Sequence, residues 1–147
     1  ILVIDPTYIF KITSPSESMY MIAFGTEGRL IMYYDDWNTR FSIDVITAAL
    51  KSDGTIFEFV VNKSKTYAMA AISDFPAALQ WATGIQDLEM CYEAISNDPR
   101  TIKFVDRSLL NETMLDMVLA TGDEFFSHTE GEMTWEEWLK INGVTPL

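Results

Sequence analysis

Pro and Gly residues punctuate this chain at nearly regular intervals, and that regularity limits the folds open to it. The punctuating residues are Pro6, Gly28, Gly54, Pro76, Pro99, Gly122 and Gly143. Their spacings are 22, 26, 22, 23, 23 and 21 residues. A period sustained along a whole chain is the signature of a tandem-repeat architecture. We therefore expect a single domain over residues 1–147, built from about five repeats of about 23 residues.

Apolar side chains recur at fixed distances from each punctuating residue. Three residues after it come Ile9, Ile31, Phe57, Leu79, Ile102 and Phe125. Five residues after it come Lys11, Tyr33, Phe59, Trp81, Phe104 and Ser127. Before it, a small residue recurs as Ala23, Ala49, Ala71 and Ala94, each followed by a large apolar residue. These columns predict buried positions on amphipathic helices, and they place Trp81 and Phe104 together in the core.

Helix start signals precede each run of apolar residues. The candidate N-caps are Ser16, Ser42, Ser64 or Thr66, Asp87, Asn111 and Thr134. Each unit is then a first helix of about ten residues, a Pro/Gly turn and a second helix of about six or seven. A helical second segment is favoured because Pro76 and Pro99 suit a first helical position. A strand stays open as an alternative, since residues 55–61 have high β propensity.

The predicted fold is all-α, a solenoid of short helical hairpins closed by half-repeat caps. Residues 1–15 match the second half of a unit, residues 16–133 form the tandem units, and residues 134–147 form the C-terminal cap. The link after the first full unit is longer than the others. Insertions in solenoids fall on one face and often carry binding. Asp35, Asp36 and Trp37 in this link are therefore predicted to bind a partner.

The charge balance restricts the partners of the chain. Its net charge is −12, with 22 acidic and 10 basic residues. Binding to nucleic acid or to an anionic membrane needs excess positive charge, so both are disfavoured as direct partners. No apolar run approaches the roughly 20 residues of a membrane span. The first residues lack the basic region of a signal peptide, and the single Cys fits a reducing compartment, so we expect a cytoplasmic protein.

The acidic excess concentrates toward the C-terminus. Residues 111–147 hold eight acids against one Lys. The predicted partner-binding residues of this acidic end are Glu130, Glu132, Trp135, Glu136, Glu137 and Trp138. One interpretation is a footprint for a basic partner, with the two Trp side chains as anchors. The alternative is a solvated face that aids solubility.

Catalytic and metal-binding patterns are weak in this sequence. His128 is the sole histidine and lacks neighbours at metal-ligand spacing, so we interpret it as a residue that closes the stack. Cys91 falls in an apolar column and is interpreted as a buried small hydrophobe. Adjacent carboxylates such as Asp35 and Asp36 do not face each other on a helix. We predict no catalytic, cofactor-binding or metal-binding residues.

One segment resembles a known family. The run from Ala94 to Val105, AISNDPRTIKFV, is similar to a bacterial tandem helical-repeat domain of unknown function, and Ala71–Ala82 is the next best match. The resemblance extends over residues 42–128, with Gly in place of Pro in three full units. It implies a helical-repeat fold and a binding role. It brings no catalytic residues.

The function that these observations predict is protein binding without catalysis. The expected protein is a helical-repeat module, more specifically a small acidic inhibitor or adaptor that acts on another protein. One alternative is an acidic DNA mimic that inhibits a nucleic-acid-processing enzyme, as in phage counter-defence. A second alternative is a small enzyme with a carboxylate-based site. The identity of the partner and the oligomeric state are left open by the sequence.

Overall fold

The computed structural model describes residues 5–120, 124–128 and 131–134. The α-helices are α1 (Glu17–Thr26), α2 (Trp37–Arg40), α3 (Ile43–Ser52), α4 (Lys65–Asp74), α5 (Leu88–Asn97) and α6 (Glu112–Leu119). The 3-10 helices are η1 (Pro6–Lys11), η2 (Gly28–Tyr33), η3 (Gly54–Phe59), η4 (Pro76–Trp81), η5 (Pro99–Phe104) and η6 (Arg107–Leu109). Strands β1 (Glu124–His128) and β2 (Gly131–Thr134) form an antiparallel hairpin. Every regular element within residues 5–120 is helical, which confirms the all-α class for that part of the chain.

The predicted N-caps start the long α-helices. Their side chains accept a hydrogen bond from the backbone N–H three residues later, and they are Ser16, Ser42, Ser64, Asp87 and Asn111. Each cap satisfies one N–H that has no partner inside its helix. The Ser64 alternative is the correct one of the pair Ser64 and Thr66. Thr134, the sixth predicted cap, is the last residue of β2, and the predicted helix after it lies outside the described residues.

The punctuating residues start the 3-10 helices. Pro6, Gly28, Gly54, Pro76 and Pro99 are the first residues of η1 to η5, and each of these helices has six residues. The predicted short second helix of each unit is therefore correct for these five, with 3-10 rather than α geometry. A six-residue 3-10 helix has too few hydrogen bonds to persist alone, so it depends on packing against its neighbours.

The long α-helices pack in chain order. Helix α1 contacts α3, α3 contacts α4, α4 contacts α5, and α5 contacts α6. Between them lie buried side chains from the predicted columns, namely Ile9, Ile31, Phe57, Leu79 and Ile102 from the 3-10 helices and Ala23, Ala49, Ala71 and Ala94 from the α-helices. The small Ala side chains let neighbouring backbones approach. Each large side chain contributes about 1.5–3 kcal/mol by leaving water.

Glycine is required where a 3-10 helix meets the next α-helix. A Cβ on Gly28 would overlap the carbonyl oxygen of Ala49, and one on Gly54 would overlap that of Ala71. Their N–H groups are also used, because Gly28 donates to Ser52 Oγ at 2.9 Å and Gly54 to Asp74 Oδ2 at 2.8 Å. Proline at the same place in η4 and η5 has no N–H to donate. Gly28 and Gly54 therefore lie where the backbones of neighbouring helices come into close contact.

Two side-chain amides join neighbouring units through the backbone. The Asn38 amide donates to Phe59 O at 3.2 Å and accepts from Val61 N at 2.9 Å. The Gln86 amide donates to Phe104 O at 2.8 Å and accepts from Asp106 N at 2.9 Å. In both cases the amide satisfies the last carbonyl of a 3-10 helix and the N–H two residues later. Each amide thus fixes the end of one 3-10 helix to the preceding unit.

Two predictions about the core and its elements need correction. Trp81 and Phe104 are only half-buried and pack against the edge of the core, and the same column contains the exposed Tyr33 and Phe59, so this column lies at the boundary between core and surface. The helix favoured for the second segment of each unit is wrong after Gly122, where residues 124–128 form β1, so the strand left open as an alternative is found there. Adjacent Phe125 and Phe126 have high β propensity, and pairing with β2 satisfies the backbone that a short helix would leave open.

The hairpin follows α6 at the C-terminal end of the array, and β1 contacts η5. Its register pairs His128 with Gly131 and Ser127 with Glu132, with an irregularity between Glu124 and Phe126. The sole His is therefore on a strand rather than in a last helical column. No helix in residues 5–120 has the length and apolar character needed to cross a bilayer.

Candidate functional site

Large aromatic side chains end four successive 3-10 helices. Tyr33, Phe59, Trp81 and Phe104 are the sixth residues of η2, η3, η4 and η5, and we call them the aromatic row. Tyr33 is 75% exposed and Phe59 is 52% exposed. The ring of Phe10 lies 5.4 Å from that of Tyr33, which extends the row toward η1. Exposed aromatic rings in sequence-equivalent places are an unusual feature for a surface that touches only water.

The geometry of the 3-10 helix explains why these residues reach the surface. With three residues per turn, positions one and four share a face, as do positions two and five. In η3 the first and fourth residues, Gly54 and Phe57, face the core, while the fifth, Glu58, is exposed. The third and sixth residues lie on the remaining edge. Ile56 there is buried and Phe59 is half-exposed, so this edge forms the wall of a groove.

That groove lies between η2 and η3 and has a volume of about 350 Å³. Its lining residues are Arg29, Met32 and Tyr33 from η2 and Thr55, Ile56 and Phe59 from η3. We call it the η2–η3 groove. Most of its lining is apolar, and its polar groups belong to Arg29, which has a guanidinium, and to Tyr33 and Thr55, which each have a hydroxyl. A concave apolar site with a few polar groups is the usual form of a binding site.

The polar edge of the groove is an ion pair between units. Arg29 Nε lies 2.9 Å from Asp53 Oδ2, and Asp53 Oδ1 also accepts from the backbone N–H and the hydroxyl of Thr55. Partial burial raises the pKa of Asp53, but the hydrogen bonds from Thr55 and Arg29 outweigh it, so the pKa lies below its ordinary value of 3.8. The carboxylate is therefore ionised and engaged, and it holds the guanidinium in place.

A second cavity of about 440 Å³ lies at the starts of α1 and α3. Tyr20, Arg40 and Phe41 line it, together with Glu17, whose carboxylate accepts from the Ser42 hydroxyl. The Arg40 guanidinium lies 4.8 Å above the Tyr34 ring, within an aromatic cluster that includes Tyr20 and Phe41. Its charged groups already have partners inside the protein, so we assign this cavity a structural role.

The predicted link residues separate into surface and core. Asp35 and Asp36 are exposed, but Trp37 is only 5% exposed and belongs to the core. Its prediction as a partner-binding residue is therefore not supported, because its indole is covered by this protein's own side chains. Asn38, in the same link, contributes to packing, because its side-chain amide hydrogen-bonds the backbone at the end of η3.

Most of the predicted partner-binding residues of the acidic end lie outside the described residues. Glu132 is in β2, paired with Ser127. Glu130, Trp135, Glu136, Glu137 and Trp138 lie outside the described residues. Their predicted role in partner binding stays a prediction.

Cys91 is inert in this structure. It is buried in α5, and its S–H donates to Gln86 Oε1 at 3.6 Å. Burial, with a smaller contribution from the carboxylates of Asp106 and Asp87, raises the pKa of the Cys91 thiol to about 11. A thiol that stays protonated is a poor nucleophile, and the interpretation of Cys91 as a buried small hydrophobe is confirmed. Within residues 5–120, no cluster of three or more His, Cys, Asp or Glu side chains is arranged to hold a metal ion.

Sequence reasoning missed the groove because it assigned the whole sixth position to the core. A signal was present, since the same position holds Lys11 in the first unit and Ser127 in the last matched unit. Polar residues in a column that is otherwise aromatic indicate a surface rather than a core. Arg29 gave no such signal, because its pairing with Asp53, the residue after α3, depends on the packing of η2 against α3.

Comparison with known proteins adds no further assignment. No protein family, curated protein or solved structure matches the chain. The chemistry of the groove and the arrangement of the units are therefore the basis for the function.

Proposed function

We propose that this chain is a non-enzymatic helical-repeat module that binds another protein through the η2–η3 groove and the aromatic row. The observation that carries the proposal is the exposure of Tyr33 and Phe59 beside a concave apolar surface. Aromatic residues are enriched at protein interfaces, where a few of them provide most of the binding energy. The row continues to Trp81 and Phe104, which suits an extended partner segment rather than a small molecule.

We further propose that the array is a solenoid of short helical hairpins, with about five repeats. Three features support it: contacts between long helices that follow chain order, a 3-10 helix that starts at each of five punctuating residues, and equivalent buried columns. A solenoid repeats its surface positions as well as its core positions. That repetition accounts for aromatic side chains at one position of four successive 3-10 helices.

A comparison of partner capture by surface variants tests the proposal. The groove variant is the double substitution Tyr33→Ser and Phe59→Ser. The control is Ile43→Ser, which removes an apolar side chain that is 61% exposed on α3 and does not line the groove. We expect proteins from the native source to be retained by the wild-type chain and by the control, and lost by the groove variant. Equal retention by all three, with unchanged far-UV circular dichroism, would contradict the proposal.

A second candidate function rests on the acidity of the long α-helices. Their exposed carboxylates are Glu17, Asp44, Asp74, Glu89, Glu93, Glu112 and Asp116. The same helices have two basic residues, Lys51 and Lys65, and Lys65 is paired with Asp87 and Glu89. This surface favours a basic partner, as an acidic inhibitor or as a DNA mimic that occupies a nucleic-acid-binding site.

The two candidates differ in their dependence on salt. An acidic inhibitor associates with a basic partner faster at low ionic strength. At physiological ionic strength, salt screens the attraction between exposed charges that are more than about 8 Å apart. Changing Glu89, Glu93 and Glu112 together to Gln tests the long α-helices, and changing Glu130, Glu132, Glu136 and Glu137 together to Gln tests the acidic end. Each change should slow association and flatten its salt dependence if the surface that it alters binds. An unchanged association rate at low salt in both variants would restrict these carboxylates to solubility and leave the groove as the binding surface.

A carboxylate-based enzyme is the less favoured class. General acid catalysis at neutral pH requires a carboxyl group whose pKa is raised. The pKa values of Asp5, Asp53 and Asp87 are instead lowered, in each case by hydrogen bonds from neighbouring residues that outweigh desolvation. We also propose a reducing compartment such as the cytoplasm, because the single Cys is a buried thiol.

A further inference from the structure

We propose that the η2–η3 groove binds a segment of its partner protein in which a large apolar side chain stands next to a carboxylate, with the carboxylate paired to Arg29. This inference rests on the proposed protein-binding function and adds the chemistry of the bound segment. It concerns the groove alone and is independent of the acidic end.

The guanidinium of Arg29 retains hydrogen-bond donors for a ligand. Its Nε–H donates to Asp53, whereas its two terminal nitrogens donate to no atom in the described part of the chain. A guanidinium has five N–H donors in a planar fork, and four of them belong to the terminal nitrogens. The Arg29 side chain is 74% exposed, so these four donors are open to solvent.

Asp53 cannot serve a ligand in the same way. Oδ1 accepts two hydrogen bonds from Thr55, and Oδ2 accepts from Arg29. Three of the roughly four acceptor sites of the Asp53 carboxylate are therefore occupied, and its side chain is only 20% exposed. A cationic ligand would find a single acceptor site there, whereas a carboxylate meets the free edge of the guanidinium without breaking any contact. Arginine pairs with carboxylates through two parallel N–H···O bonds when two nitrogens are available. The groove therefore favours a carboxylate over an ammonium or guanidinium group.

The apolar part of the groove determines what must accompany the carboxylate. Met32, Tyr33, Ile56 and Phe59 surround the space beside Arg29. A volume of about 350 Å³ is at the small end of ligand sites, which suits one large side chain with part of its backbone. Because Arg29 is already balanced by Asp53, the attraction is short-range, and salt should weaken it less than it weakens binding by the acidic end.

Two peptides that differ by one group test the inference. The probes are the blocked hexapeptides Gly-Ser-Trp-Glu-Ser-Gly and Gly-Ser-Trp-Gln-Ser-Gly, titrated to millimolar concentration against the isotope-labelled chain. Backbone amide shifts map the bound site and give the dissociation constants. We expect both peptides to shift residues of η2 and η3, with the Glu peptide bound about fivefold more tightly.

Matched variants isolate Arg29 from the charge of the protein as a whole. Arg29→Gln should abolish the preference for the Glu peptide. Arg107→Gln changes the net charge equally, at a residue of η6 outside the groove, and should preserve it. Arg29→Lys keeps the charge without the planar fork and should retain part of the preference.

The outcomes separate this inference from the function on which it rests. Equal binding of the two peptides in the groove, or a preference that survives Arg29→Gln, would overturn the carboxylate assignment while leaving the groove as a protein-binding surface. If partner capture fails for the wild-type chain while the peptide preference holds, the proposed function is wrong and the carboxylate site stands. Peptide shifts confined to residues outside η2 and η3 would overturn the inference.

Discussion

Phe57 and Phe59 lie two residues apart in η3, yet they have opposite roles. Phe57 is fully buried between α3 and α4, while Phe59 is half-exposed and lines the groove. The difference follows from the three-residue turn of the 3-10 helix, which directs the fourth residue inward and the sixth to the edge. The position of an aromatic side chain within a six-residue 3-10 helix therefore decides whether it is buried in the core or exposed at the groove.

The two phenylalanines give a matched test of this assignment. Phe57→Ala should lower the free energy of unfolding by about 3–5 kcal/mol, because it leaves a cavity in the core. Phe59→Ala should cost about 1 kcal/mol or less, since half of its ring is already in water. Chemical denaturation followed by circular dichroism measures both. Similar losses for the two variants would show that the assignment of faces in η3 is wrong.

Glycines at two positions give a second matched pair. Ala at Gly54 would place its Cβ against the Ala71 carbonyl and 2.8 Å from Phe75 Cβ, so α4 or η3 must shift. We expect Gly54→Ala to destabilise the protein by about 1–3 kcal/mol. Gly25 in α1 has open space around it, and Gly25→Ala should stabilise by about 0.5–1 kcal/mol. Thermal melting compares them, and a neutral Gly54→Ala would contradict the close approach of the two units.

Residue-level features were predictable from sequence where the cause is local. Ser16, Ser42 and Asp87 cap their helices because a short polar side chain at that place satisfies the next turn, whatever the fold. Full burial of Trp81 and Phe104 was predicted wrongly. A column of hydrophobic residues indicates contact with an apolar surface, but it does not show on which side of the helix that surface lies. The pairing of Arg29 with Asp53 depends on tertiary packing and had no sequence signal.

Each six-residue 3-10 helix is held by groups outside itself. The C-terminal carbonyl of η5 is satisfied by Gln86, and the first N–H of η3 by Asp74 of the next unit. The N-terminal end of η3 uses its own cap, Asp53, which also bonds Arg29 of the preceding unit. Elements of this length therefore depend on contacts between units more than on their own hydrogen bonds.

Removal of the Gln86 amide tests the bridge between units. Gln86→Ala leaves Phe104 O and Asp106 N without their partner in a half-buried place, which should cost about 1–3 kcal/mol. Gln80→Ala is the control, because the Gln80 amide is exposed and bonds only Ala77 O of its own helix. Amide hydrogen exchange at Asp106 should accelerate in the first variant and not in the second. Equal stability of the two variants would rule out a bridging role.

The cap of η3 also predicts a dependence on pH. The folded-state pKa of Asp53 is below its ordinary value of 3.8, so its stabilising contribution is complete above that value. As the pH falls below 3.8 and through the folded-state pKa, protonation removes this contribution. Asp53→Asn should therefore lose less stability than wild type between about pH 4 and pH 2. Urea denaturation midpoints measured across this range would contradict the prediction if both proteins fall equally.

At the scale of the molecule, one pattern places core, junctions and groove together. The long α-helices contact one another in chain order, and the sixth residue is aromatic in four of the five six-residue 3-10 helices, with Lys11 in η1 as the exception. The period in the sequence was sufficient to predict this order up to α6. It failed for residues 124–128, which form a strand where the pattern predicts the second helix, because adjacent Phe125 and Phe126 have high β propensity.

Protein binding through the η2–η3 groove is the central claim, and site-specific photo-crosslinking tests it most directly. A photoreactive benzoyl-phenylalanine is placed at position 59, and in a separate variant at position 43, and each protein is irradiated in cells of its native source. We predict a discrete protein adduct from position 59, which disappears when Tyr33→Ser is added, and none from position 43. Position 59 giving no adduct, or the same adducts as position 43, would contradict the account.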